Sequence, residues 1–504
     1  MAKLTYIIIM VITLFLTLLS SNTFGLKVVT LPMYGKSHTI IMEIVSRELQ
    51  LRGHDVILVV EERDALENSQ VPMARFNIDQ PISFDKITKL INSKNGNAVI
   101  AYMIQVQKSY CSKTLNNTRI MQAIADADVV VSDLVYLCSY LLPEKIDKVN
   151  ILLSPGAFMD LYIYGLLENP NPLAYIPQFG VQLTPQMSFY QRIVNCFAGI
   201  LTKLIVHYYS TPAINELRQQ FNISLNLSLR QLFLKPSLVL LNADFAIEFA
   251  RPLLPNVRMI GPLTPQPPAS LPQKLQLFMD KCHRRGVIYV SLGSLYQFRD
   301  DQLPALMDAF ARLSHCILWK TAKEIDNLPY NVNIGKWLPQ NDILGSQSVK
   351  AFVTHCGSNS MYEGAYHGVP MIGIPITNEQ NTNMIRMIYA GIAVHVNYND
   401  FNASDLVSAI SQATNNDSFT RNVNKISRLL RNKPRTPRQS VVDWIEYIAE
   451  GKGANHLRVY QYSLSFWQLY FLDMACLIIV LLSVIYYCFR SSCCRGKSVK
   501  DKSD

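Results

Sequence analysis

The sequence predicts an α/β fold made of two Rossmann-like domains, followed by one C-terminal transmembrane helix. The residues after Leu26 follow the order strand, turn, helix, strand, and residues 351–375 repeat that order. Parallel βαβ units have this pattern. Residues 464–489 form an apolar run, and about 20 apolar residues are enough to cross a bilayer. A chain of 504 residues is long enough for two domains with separate cores.

The N-terminus has the features of a secretory signal peptide. Residues 6–19 are almost wholly apolar, Lys3 precedes them, and a small polar stretch follows up to Gly25. A short apolar segment with these flanks is typical of a leader that is removed. We therefore expect the mature chain to begin near Leu26.

The other end predicts a membrane anchor. The run 464–489 is interrupted only by Gln468 and Asp473, and basic residues follow it in the tail 490–504. Positive charge on one side of a span favours the cytosol for that side. A signal peptide together with a transmembrane helix near the C-terminus predicts a single-pass type I membrane protein, with most of the chain in the lumen. Lysines third and fifth from the end resemble a dilysine retrieval signal, which favours the endoplasmic reticulum membrane.

The net charge of +10 is concentrated in two segments. Residues 421–438 hold seven basic residues and no acidic one, and the tail after Phe489 holds five basic and two acidic residues. These contributions, +7 and +3, account for the whole excess. Both segments precede or follow the span closely, so the alternatives are a solvated face, which we favour, and a lipid-facing basic patch. No nucleic-acid-binding module is visible.

The cysteines and the glycosylation sequons are possible modification sites, but the sequence does not show which of them are modified. Six of the ten cysteines lie in the predicted lumenal part, without CxxC spacing, and suggest neither a metal site nor a disulfide-dense scaffold. The other four lie in the span or tail, where acylation could occur. Sequons that permit glycosylation stand at Asn116, Asn222, Asn226, Asn402 and Asn416.

The N-terminal half opens with a strand over Leu26–Met33 and a helix that we expect to start at Ser37 as its N-cap. Its buried face should carry Ile40, Ile41, Ile44, Val45 and Leu49. His38 then lies in the first helical turn beyond a strand's carboxyl end, where open α/β sheets bind ligands. Asp133 follows a second buried strand, Val129–Val131, and we expect it to be the partner of His38.

Residues 352–380 form the stretch on which the binding prediction depends. A buried strand leads to His355 and to a turn at Gly357, where free backbone N–H groups at a helix start can approach an anion. Asn359 and Glu363 are four residues apart and share one helix face. A phosphate near His355 with a carboxylate one turn deeper suits a nucleotide, with the ribose hydroxyls on Glu363.

The residues of this stretch resemble the signature of the UDP-glycosyltransferase family, which includes the UDP-glucuronosyltransferases. The matching positions are Thr354, His355, Gly357, Glu363, the run 367–370 and the pair Glu379-Gln380. The resemblance extends over nearly the whole chain, including Ser37-His38 and the segment 53–56 near its start. It implies the GT-B architecture, in which the acceptor binds the first Rossmann-like domain and UDP-sugar binds the second.

The resemblance also divides the chain. It implies an acceptor-binding domain after the signal peptide and a UDP-sugar-binding domain joined to it by a proline-rich linker. A C-terminal helix then packs back on the first domain before the span. The expected ranges are 1–25 for the signal peptide, 26–261, 262–272 for the linker, 273–432, 433–463 for the C-terminal helix, 464–489 for the span and 490–504 for the tail. The region 154–237 is expected to help build the acceptor pocket and could lie against the membrane surface.

The resemblance assigns roles to single residues. His38 would take the proton of the acceptor hydroxyl, oriented by Asp133, because histidine ordinarily titrates near neutrality. Trp337 would stack on uracil with Gln340 nearby, and Arg251 is a donor-sugar contact in some members. The residues expected to contact UDP-sugar are Ser291, Gly293, Ser294, Trp337, Gln340, His355, Gly357, Ser358, Asn359, Glu363, Glu379 and Gln380. UDP-sugar is a co-substrate, and we expect neither a metal nor another cofactor.

The sequence leaves the donor and the acceptor open. Glu379 stands where Asp is usual, and Arg251 also occurs in members that use neutral sugars. We expect transfer of a glucuronosyl or glucosyl group, with inversion, to a lipophilic hydroxyl or carboxyl. The alternatives are a lipid (ceramide-type) glycosyltransferase and a catalytically silent member that binds nucleotide sugar. A related epimerase or phosphorylase is disfavoured by the signal peptide and anchor, and homo-oligomers are left open.

Overall fold

Parallel strands in two separate sheets organise the chain. The computed structural model describes residues 25–79, 81–83, 86–87, 89–90, 96–156, 160–293 and 296–496. The predicted signal peptide up to residue 24, Ser294 and the residues from 497 on lie outside this range. The chain divides into two compact units, Met1–Asn455, which contains both sheets, and His456–Asp504.

The first sheet has seven parallel strands in the order β3-β2-β1-β4-β5-β6-β7. Its central strands are rich in Val, Ile and Leu and are buried along nearly their whole length, as expected for a sheet covered on both faces. We call the part of the chain around this sheet the first lobe. The strands are β1 Lys27–Leu31, β2 Asp55–Glu61, β3 Met73–Phe76, β4 Val129–Asp133, β5 Val149–Ser154, β6 Leu238–Leu241 and β7 Val257–Met259.

The second sheet has six parallel strands in the order β10-β9-β8-β11-β12-β13. Apolar clusters cover both of its faces, and the part of the chain around it is the second lobe. The two sheets confirm the predicted α/β fold with two Rossmann-like halves. The strands are β8 Val287–Ser291, β9 Cys316–Lys320, β10 Val332–Gly335, β11 Val349–Thr354, β12 Met371–Gly373 and β13 Ala393–His395.

Helices connect the strands and cover the sheets. A π-helical stretch, Val206–Ser210, joins α6 to α7. Within the described residues the α-helices are α1 Lys36–Leu51, α2 Gly96–Leu115, α3 Thr118–Asp126, α4 Leu142–Lys145, α5 Asp160–Ile163, α6 Phe189–Ile205, α7 Thr211–Phe221, α8 Leu229–Phe233, α9 Gln273–Lys281, α10 Leu303–Arg312, α11 Gln340–Leu344, α12 Ser358–His367, α13 Asn378–Tyr389, α14 Ala403–Asn415, α15 Asp417–Arg431, α16 Pro437–Glu450, α17 Phe466–Leu469 and α18 Leu472–Gly496.

The first helix corrects two predictions. The N-cap of helix α1 is Gly35, two residues before the expected Ser37. Gly35 has φ 112°, a conformation that glycine adopts without a Cβ penalty, so the turn is closed by backbone geometry and not by a serine hydroxyl. Ile40 is 36% exposed instead of buried, because the buried stripe runs through Ile41, Ile44, Val45 and Leu49.

The C-terminal helix is shorter than the predicted segment 433–463. Helix α16 covers Pro437–Glu450, and α1 of the first lobe packs against it. Arg52 forms ion pairs with Asp443 and Glu446 at 2.8 and 3.1 Å, and His54 Nε2 lies 2.9 Å from Glu446. The chain thus returns from the second lobe to the first before residue 455.

Two helical stretches of the described chain are long and apolar enough to cross a membrane, Phe189–Phe221 and Leu472–Ser491. The second overlaps the predicted span 464–489 but begins at Leu472, because Phe466–Leu469 forms the separate short helix α17. In the first, helix α6 faces its apolar residues outward: Phe189, Tyr190, Ile193, Val194, Phe197, Ile200, Leu201 and Leu204 are exposed. Its buried residues are instead Asn195, Gly199 and Thr202.

Within the described residues, two disulfide bonds each join two positions of one lobe, which the sequence did not predict. Cys111 of α2 pairs with Cys138 behind β4, and Cys282 pairs with Cys316 at the start of β9. Each bond closes a loop of about thirty residues, so the cysteines that are scattered in sequence meet in space. Cys196 and Cys356 are free thiols.

Candidate functional site

A histidine and a carboxylate meet at the carboxyl edge of the first sheet. His38 Nδ1 lies 2.6 Å from Asp133 Oδ2, and the Asp133 side chain is fully buried while that of His38 is 20% exposed. The backbone N–H of Val135 and that of Met33 donate to Asp133 at 3.0 and 3.3 Å. A carboxylate in this environment holds the proton on Nδ1 and leaves Nε2 of His38 as a hydrogen-bond acceptor.

The sheet order explains why these two residues meet. Strands β1 and β4 are neighbours, and the chain continues from them in opposite directions across the sheet. His38 follows β1 and Asp133 ends β4, so both lie at the topological switch point, where open α/β sheets form a crevice. The side chains are 95 positions apart in sequence, and only the parallel pairing joins them.

The second lobe presents a turn at the carboxyl end of β11. The His355 ring lies between two glycines: a Cβ on Gly293 would come within 2.7 Å of it and a Cβ on Gly357 within 2.6 Å. Burial and the nearby charge of Lys320 lower the pKa of His355 to about 4, so the ring is neutral at physiological pH. Its Nδ1 has no hydrogen-bond partner among the described residues.

Helix α12 begins directly after this turn, at Ser358. Its first N–H groups point back toward the turn, and the Ser358 hydroxyl is buried without a partner in the described part of the chain. Asn359 is half-buried in the first turn of the helix. N–H groups, a helix dipole and two polar side chains form a site suited to an anion.

Glu363 lies one turn further along α12 and is buried. Gln340 donates to Glu363 Oε2 at 2.7 Å and to the Ser360 hydroxyl at 3.1 Å. Burial raises the pKa of Glu363 to about 7, despite the hydrogen bond from Gln340. Trp337, three residues before Gln340, is 76% exposed, so its ring is outside the core and has a free face.

Lys320 is a functional candidate that the sequence analysis missed. It ends β9 opposite Ser291 of β8, and its charge acts on both His355 and Glu363. Burial lowers the pKa of Lys320. The signal was present in the sequence, since a lysine that ends a buried apolar strand lies at the edge of a parallel sheet where ligands bind.

Glu379 and Gln380 differ in their surroundings. Burial raises the pKa of Glu379 to about 7, and Asn383 donates to its Oε1 at 2.5 Å. Gln380 is buried, and its Oε1 accepts the N–H groups of Ile376 and Thr377 at 2.7 and 3.1 Å. The oxygen of Gln380 therefore caps the start of α13, and its amide nitrogen is the part left for a ligand.

A buried polar chain leads from Glu379 to the first lobe. Asn383 donates also to the carbonyl of Cys356 at 2.9 Å and accepts from Arg386 at 3.1 Å. Arg386 in turn forms a buried ion pair with Glu248 of the first lobe at 2.7 Å. The sequence analysis missed these residues, although Asn383 and Arg386 lie four and seven positions after Glu379 on one helix face.

The two sets of residues face each other. His38 of the first lobe lies near enough to Glu379 of the second that the imidazolium, when it forms, lowers the pKa of Glu379. A Cβ on Gly156, behind β5, would lie 3.3 Å from the Ser358 side chain. The first-lobe dyad and the second-lobe anion site therefore border the same cleft.

Arg251 and Ser291 complete the set of predicted residues in the described range. Arg251 is buried in the segment after β6. The Ser291 hydroxyl accepts the N–H of Gly293 at 3.3 Å and thereby holds the turn before the undescribed Ser294. Among the described residues no cluster of three or more His, Cys, Asp or Glu side chains has the arrangement of a metal site.

Comparison with known proteins agrees with this geometry. The family described as "UDP-glucoronosyl and UDP-glucosyl transferase" matches residues 26–502. UDP-glucuronosyltransferase 1-2 of Mus musculus is 30% identical over 496 residues, covering 93% of this chain and 91% of that protein. The 2-hydroxyacylsphingosine 1-beta-galactosyltransferase of Mus musculus is 28% identical over 471 residues, covering 90% and 86%.

Solved structures share the fold at lower identity. The glycotransferase of kitacinnamycin superposes with a TM-score of 0.60 at 17% identity, covering 84% of this chain and 99% of that one. CalG4, the calicheamicin glycosyltransferase, gives 0.57 at 16% identity, covering 84% and 98%. These likenesses confirm the GT-B architecture. Because the family match extends over nearly the entire chain, the protein belongs to the UDP-glucuronosyl and UDP-glucosyl transferase family and is a UDP-glycosyltransferase.

Proposed function

We propose that the enzyme transfers a hexosyl group, glucuronosyl or glucosyl, from UDP-sugar to a hydroxyl or carboxyl of a lipophilic acceptor with inversion at the anomeric carbon. The observation that carries the proposal is the His38–Asp133 pair, 2.6 Å apart, on one side of the cleft. The anion site around His355 and Gly357 lies on the other side.

The reaction assigns a task to each side. Nε2 of His38 accepts the proton of the acceptor hydroxyl while the acceptor oxygen attacks the anomeric carbon. The bond between that carbon and the diphosphate oxygen breaks, and its electron pair leaves with UDP. Asp133 stabilises the imidazolium that forms, as the carboxylate of a catalytic triad does.

The leaving diphosphate carries the developing negative charge. We assign its stabilisation to the N–H groups at the start of α12, to the hydroxyl of Ser358 and to Lys320. Glu363 would hold the ribose hydroxyls, Trp337 would stack on uracil, and Glu379 with the amide of Gln380 would hold sugar hydroxyls. We expect no metal cofactor, because these groups already supply positive potential to the diphosphate.

The acceptor class has two candidates. A small lipophilic alcohol, phenol or acid fits a relative named as a glucuronosyltransferase, and a membrane lipid fits the relative named as a 2-hydroxyacylsphingosine galactosyltransferase. The exposed apolar face of α6 favours neither one, since both kinds of acceptor are lipophilic and would partition into a bilayer. We further propose that the chain is anchored in the endoplasmic reticulum membrane through residues 472–491, with its catalytic lobes in the lumen.

Two variants test the mechanism. His38→Ala in membranes that contain the full chain should lower kcat by at least about a hundredfold, because general base catalysis contributes roughly 10²–10⁴. Asp133→Asn should lower kcat by a similar factor, because the amide no longer fixes the tautomer. UDP affinity should stay the same in both. Unchanged turnover in His38→Ala would remove the mechanism, and a donor panel scored by mass shift would identify the sugar.

A further inference from the structure

The chain around Leu26 lies against the turn that follows helix α1. The backbone N–H of Leu26 donates to Nδ1 of His54 at 3.1 Å, and the Leu26 carbonyl accepts the N–H of Asp55 at 2.9 Å. A Cβ on Gly25 would come within 2.0 Å of the Gly53 carbonyl oxygen. At residue 25 the chain therefore approaches this turn so closely that a side chain does not fit there.

His54 also contacts the C-terminal helix α16. Its Nε2 lies 2.9 Å from Oε1 of Glu446. Because Nδ1 accepts the N–H of Leu26, Nε2 carries the proton of the neutral ring and donates it to Glu446. The imidazole thus joins the start of the first lobe to the helix that returns from the second lobe.

His54 is the best protected member of this contact. Arg52 pairs with Asp443 and Glu446 of α16 at 2.8 and 3.1 Å, and these three side chains are 34–38% exposed. The side chain of His54 is 10% exposed. Solvent screens exposed ion pairs strongly, so the contacts of His54 are the ones that water weakens least.

Removal of the predicted signal peptide changes the group that meets His54. The sequence predicts that the mature chain begins near Leu26, and the small residue Gly25 precedes it, as is usual at such a cleavage site. Hydrolysis of the bond between Gly25 and Leu26 gives a carboxylate on the released peptide and a primary amine on Leu26. An α-amine ordinarily has a pKa of about 7.7–8.0, so it is mostly an ammonium at neutral pH.

The surroundings of Leu26 suit an ammonium group, which has three N–H donors. Nδ1 of His54 accepts one of them. The carbonyl of Gly53 lies beside Gly25 and accepts no backbone hydrogen bond from the described residues, so removal of Gly25 leaves it available for another. A charged donor forms a stronger hydrogen bond than an amide N–H, and the carboxylate of Glu446 behind the imidazole favours the positive charge.

We propose that the α-amino group produced at Leu26 by removal of the signal peptide binds His54 and, through Glu446, holds helix α16 on the first lobe. We call these three residues the terminal latch. In the precursor only an amide N–H meets His54, so α16 is held less firmly and processing completes the fold. This inference concerns maturation and does not depend on which sugar or acceptor the enzyme uses.

The terminal latch acts on the helix that carries His38. His54 follows α1 closely, and α16 packs against α1. His38 lies near the other end of this 16-residue helix, whose length is about 24 Å. Loss of the latch should therefore shorten the lifetime of the folded enzyme and leave its substrate preference unchanged.

Chemical modification of the amino terminus tests the proposal. The full chain is purified from membranes in detergent, and N-terminal sequencing identifies its first residue, which should be Leu26. Cyanate at pH 7 carbamylates α-amines in preference to lysine amines, whose pKa is higher, and mass spectrometry of the N-terminal peptide gives the rate. The rate should be about tenfold lower in the wild type than in His54→Ala, the factor for one hydrogen bond to a charged group.

A stability measurement connects the amino group with α16. Thermal unfolding is followed by tryptophan fluorescence, to which Trp444 of α16 contributes. Carbamylation should shorten the half-life of the folded wild type about tenfold, whereas in His54→Ala it should change the half-life little, because the latch is already broken. His207→Ala, which replaces an exposed histidine, is the matched control and should behave like the wild type.

Each result supports or overturns the terminal latch. A first residue other than Leu26, or equal carbamylation rates in the wild type and His54→Ala, would overturn it. If His54→Ala does not fold, Glu446→Gln decides, since it keeps an acceptor for Nε2 and removes the negative charge. Carbamylation of Glu446→Gln should be faster than that of the wild type, and an equal rate would contradict the latch. None of these measurements requires glycosyl transfer, so a failure of the proposed function is scored separately.

Discussion

Two buried carboxyl groups of the proposed donor site, Glu363 and Glu379, have pKa values near neutral pH. Burial raises the pKa of Glu363 and that of Glu379 to about 7, whereas a solvated glutamic acid titrates near 4.5. The His355 pKa is lowered to about 4, so His355 stays neutral above pH 5. The pH dependence of donor binding between 6 and 8 therefore reports on the two glutamates.

The direction of this pH dependence follows from the hydrogen bonds that the carboxyl groups accept from the donor. An ionised carboxylate accepts hydrogen bonds from ribose or sugar hydroxyls on all its lone pairs, so the donor binds the ionised form more tightly. Affinity should fall as the pH falls below 7, by up to about tenfold per pH unit for each group. In the protein without ligand, the raised pKa values have the opposite effect on the free energy of unfolding. The stabilising contribution of the two protonated carboxyl groups is complete below about pH 4.5 and is lost as the pH rises through 7.

We predict that the affinity for UDP-glucose falls between pH 8 and pH 6 and that Glu363→Gln flattens part of this dependence. UDP-glucose is the right probe because its diphosphate has no ionisation in this range. Titration calorimetry at four pH values measures the effect. The matched control is Glu324→Gln, which removes an exposed carboxylate of the same lobe. A wild-type affinity that is independent of pH would contradict the charges assigned to Glu363 and Glu379.

At the scale of single elements, helix α13 positions groups of the proposed donor site through one side chain, that of Asn383. Asn383 holds Glu379 and the Cys356 carbonyl simultaneously, at 2.5 and 2.9 Å. Cys356 has φ 66°, in the left-handed region that non-glycine residues rarely occupy, so this turn needs support. The amide of Asn383 supplies it from the neighbouring helix.

We predict that Asn383→Ala lowers kcat/KM for UDP-sugar by about ten- to a hundredfold, because Glu379 loses its only described side-chain donor and the turn loses a hydrogen bond. The affinity for UDP alone should change much less, since Glu363 and Trp337 are untouched. Steady-state kinetics and UDP titration separate the two. Thr382→Ala on the exposed face of α13 is the control, and equal loss in both variants would refute the role of Asn383.

Helix α6 is the element that departs most from the usual amphipathic rule. Its apolar residues are exposed in a stripe with helical spacing. The polar side of the helix faces the protein, where Asn195 accepts the N–H of Gln178 at 2.8 Å and donates to the carbonyls of Leu173 and Ile176 at 2.7 Å. Leaving such a stripe in water is unfavourable by roughly 25 cal/mol per Å² of apolar surface. The membrane anchoring proposed above would make a bilayer available to this face.

We predict that α6 contacts lipid when the full chain is reconstituted in phosphatidylcholine vesicles. Photoactivatable acyl chains should label peptides from residues 189–204, with Phe197 among the modified positions, and mass spectrometry identifies them. Peptides from α15, whose exposed face carries Arg421 and Arg428, should remain unlabelled if that basic segment is a solvated face. Labelling of the span 472–491 without labelling of α6 would show that this face is covered by something else.

The sequence predicted features that depend on residues close together in the chain better than features that depend on distant ones. The strands around Val129 and Phe352, the turn at Gly357 and the end of helix α12 at Gly368 follow from apolar runs and glycine conformations within a few residues. The meeting of His38 with Asp133, 95 positions apart, followed from expecting both at strand ends of one parallel sheet. The pairing of Cys111 with Cys138 and of Arg386 with Glu248 depends on packing between distant elements, for which one sequence holds no pattern.

At the scale of the whole molecule, the two lobes are joined by buried groups behind the cleft. Arg386 and Glu248 are 2.7 Å apart, with side-chain exposures of 3% and 0%. The Tyr362 hydroxyl accepts the N–H of Asp244 at 2.9 Å and contacts Glu248 at 3.4 Å. The apolar cluster on this side of the second sheet includes Ala243 and Ile247 of the first lobe, so the interface is continuous with a core.

The buried pair between Arg386 and Glu248 is costly to break on one side only. Removing one partner of a buried ion pair leaves an uncompensated charge, at about 3–5 kcal/mol, whereas replacing both partners is often nearly neutral. We therefore predict that Arg386→Met and Glu248→Gln each lower the midpoint of thermal inactivation of the full-length enzyme, and that the double variant recovers most of the loss. Arg312→Met, which breaks the exposed pair with Asp308, should change the midpoint little, because exposed pairs contribute about 0–1 kcal/mol.

The activity of the recovered double variant is the decisive measurement. If the ion pair only holds the lobes together, kcat/KM returns with stability. If the pair also orients Asn383, and through it Glu379, kcat/KM stays low while the thermal midpoint is restored. Additive losses in the double variant would show that the two charges do not interact across the lobes.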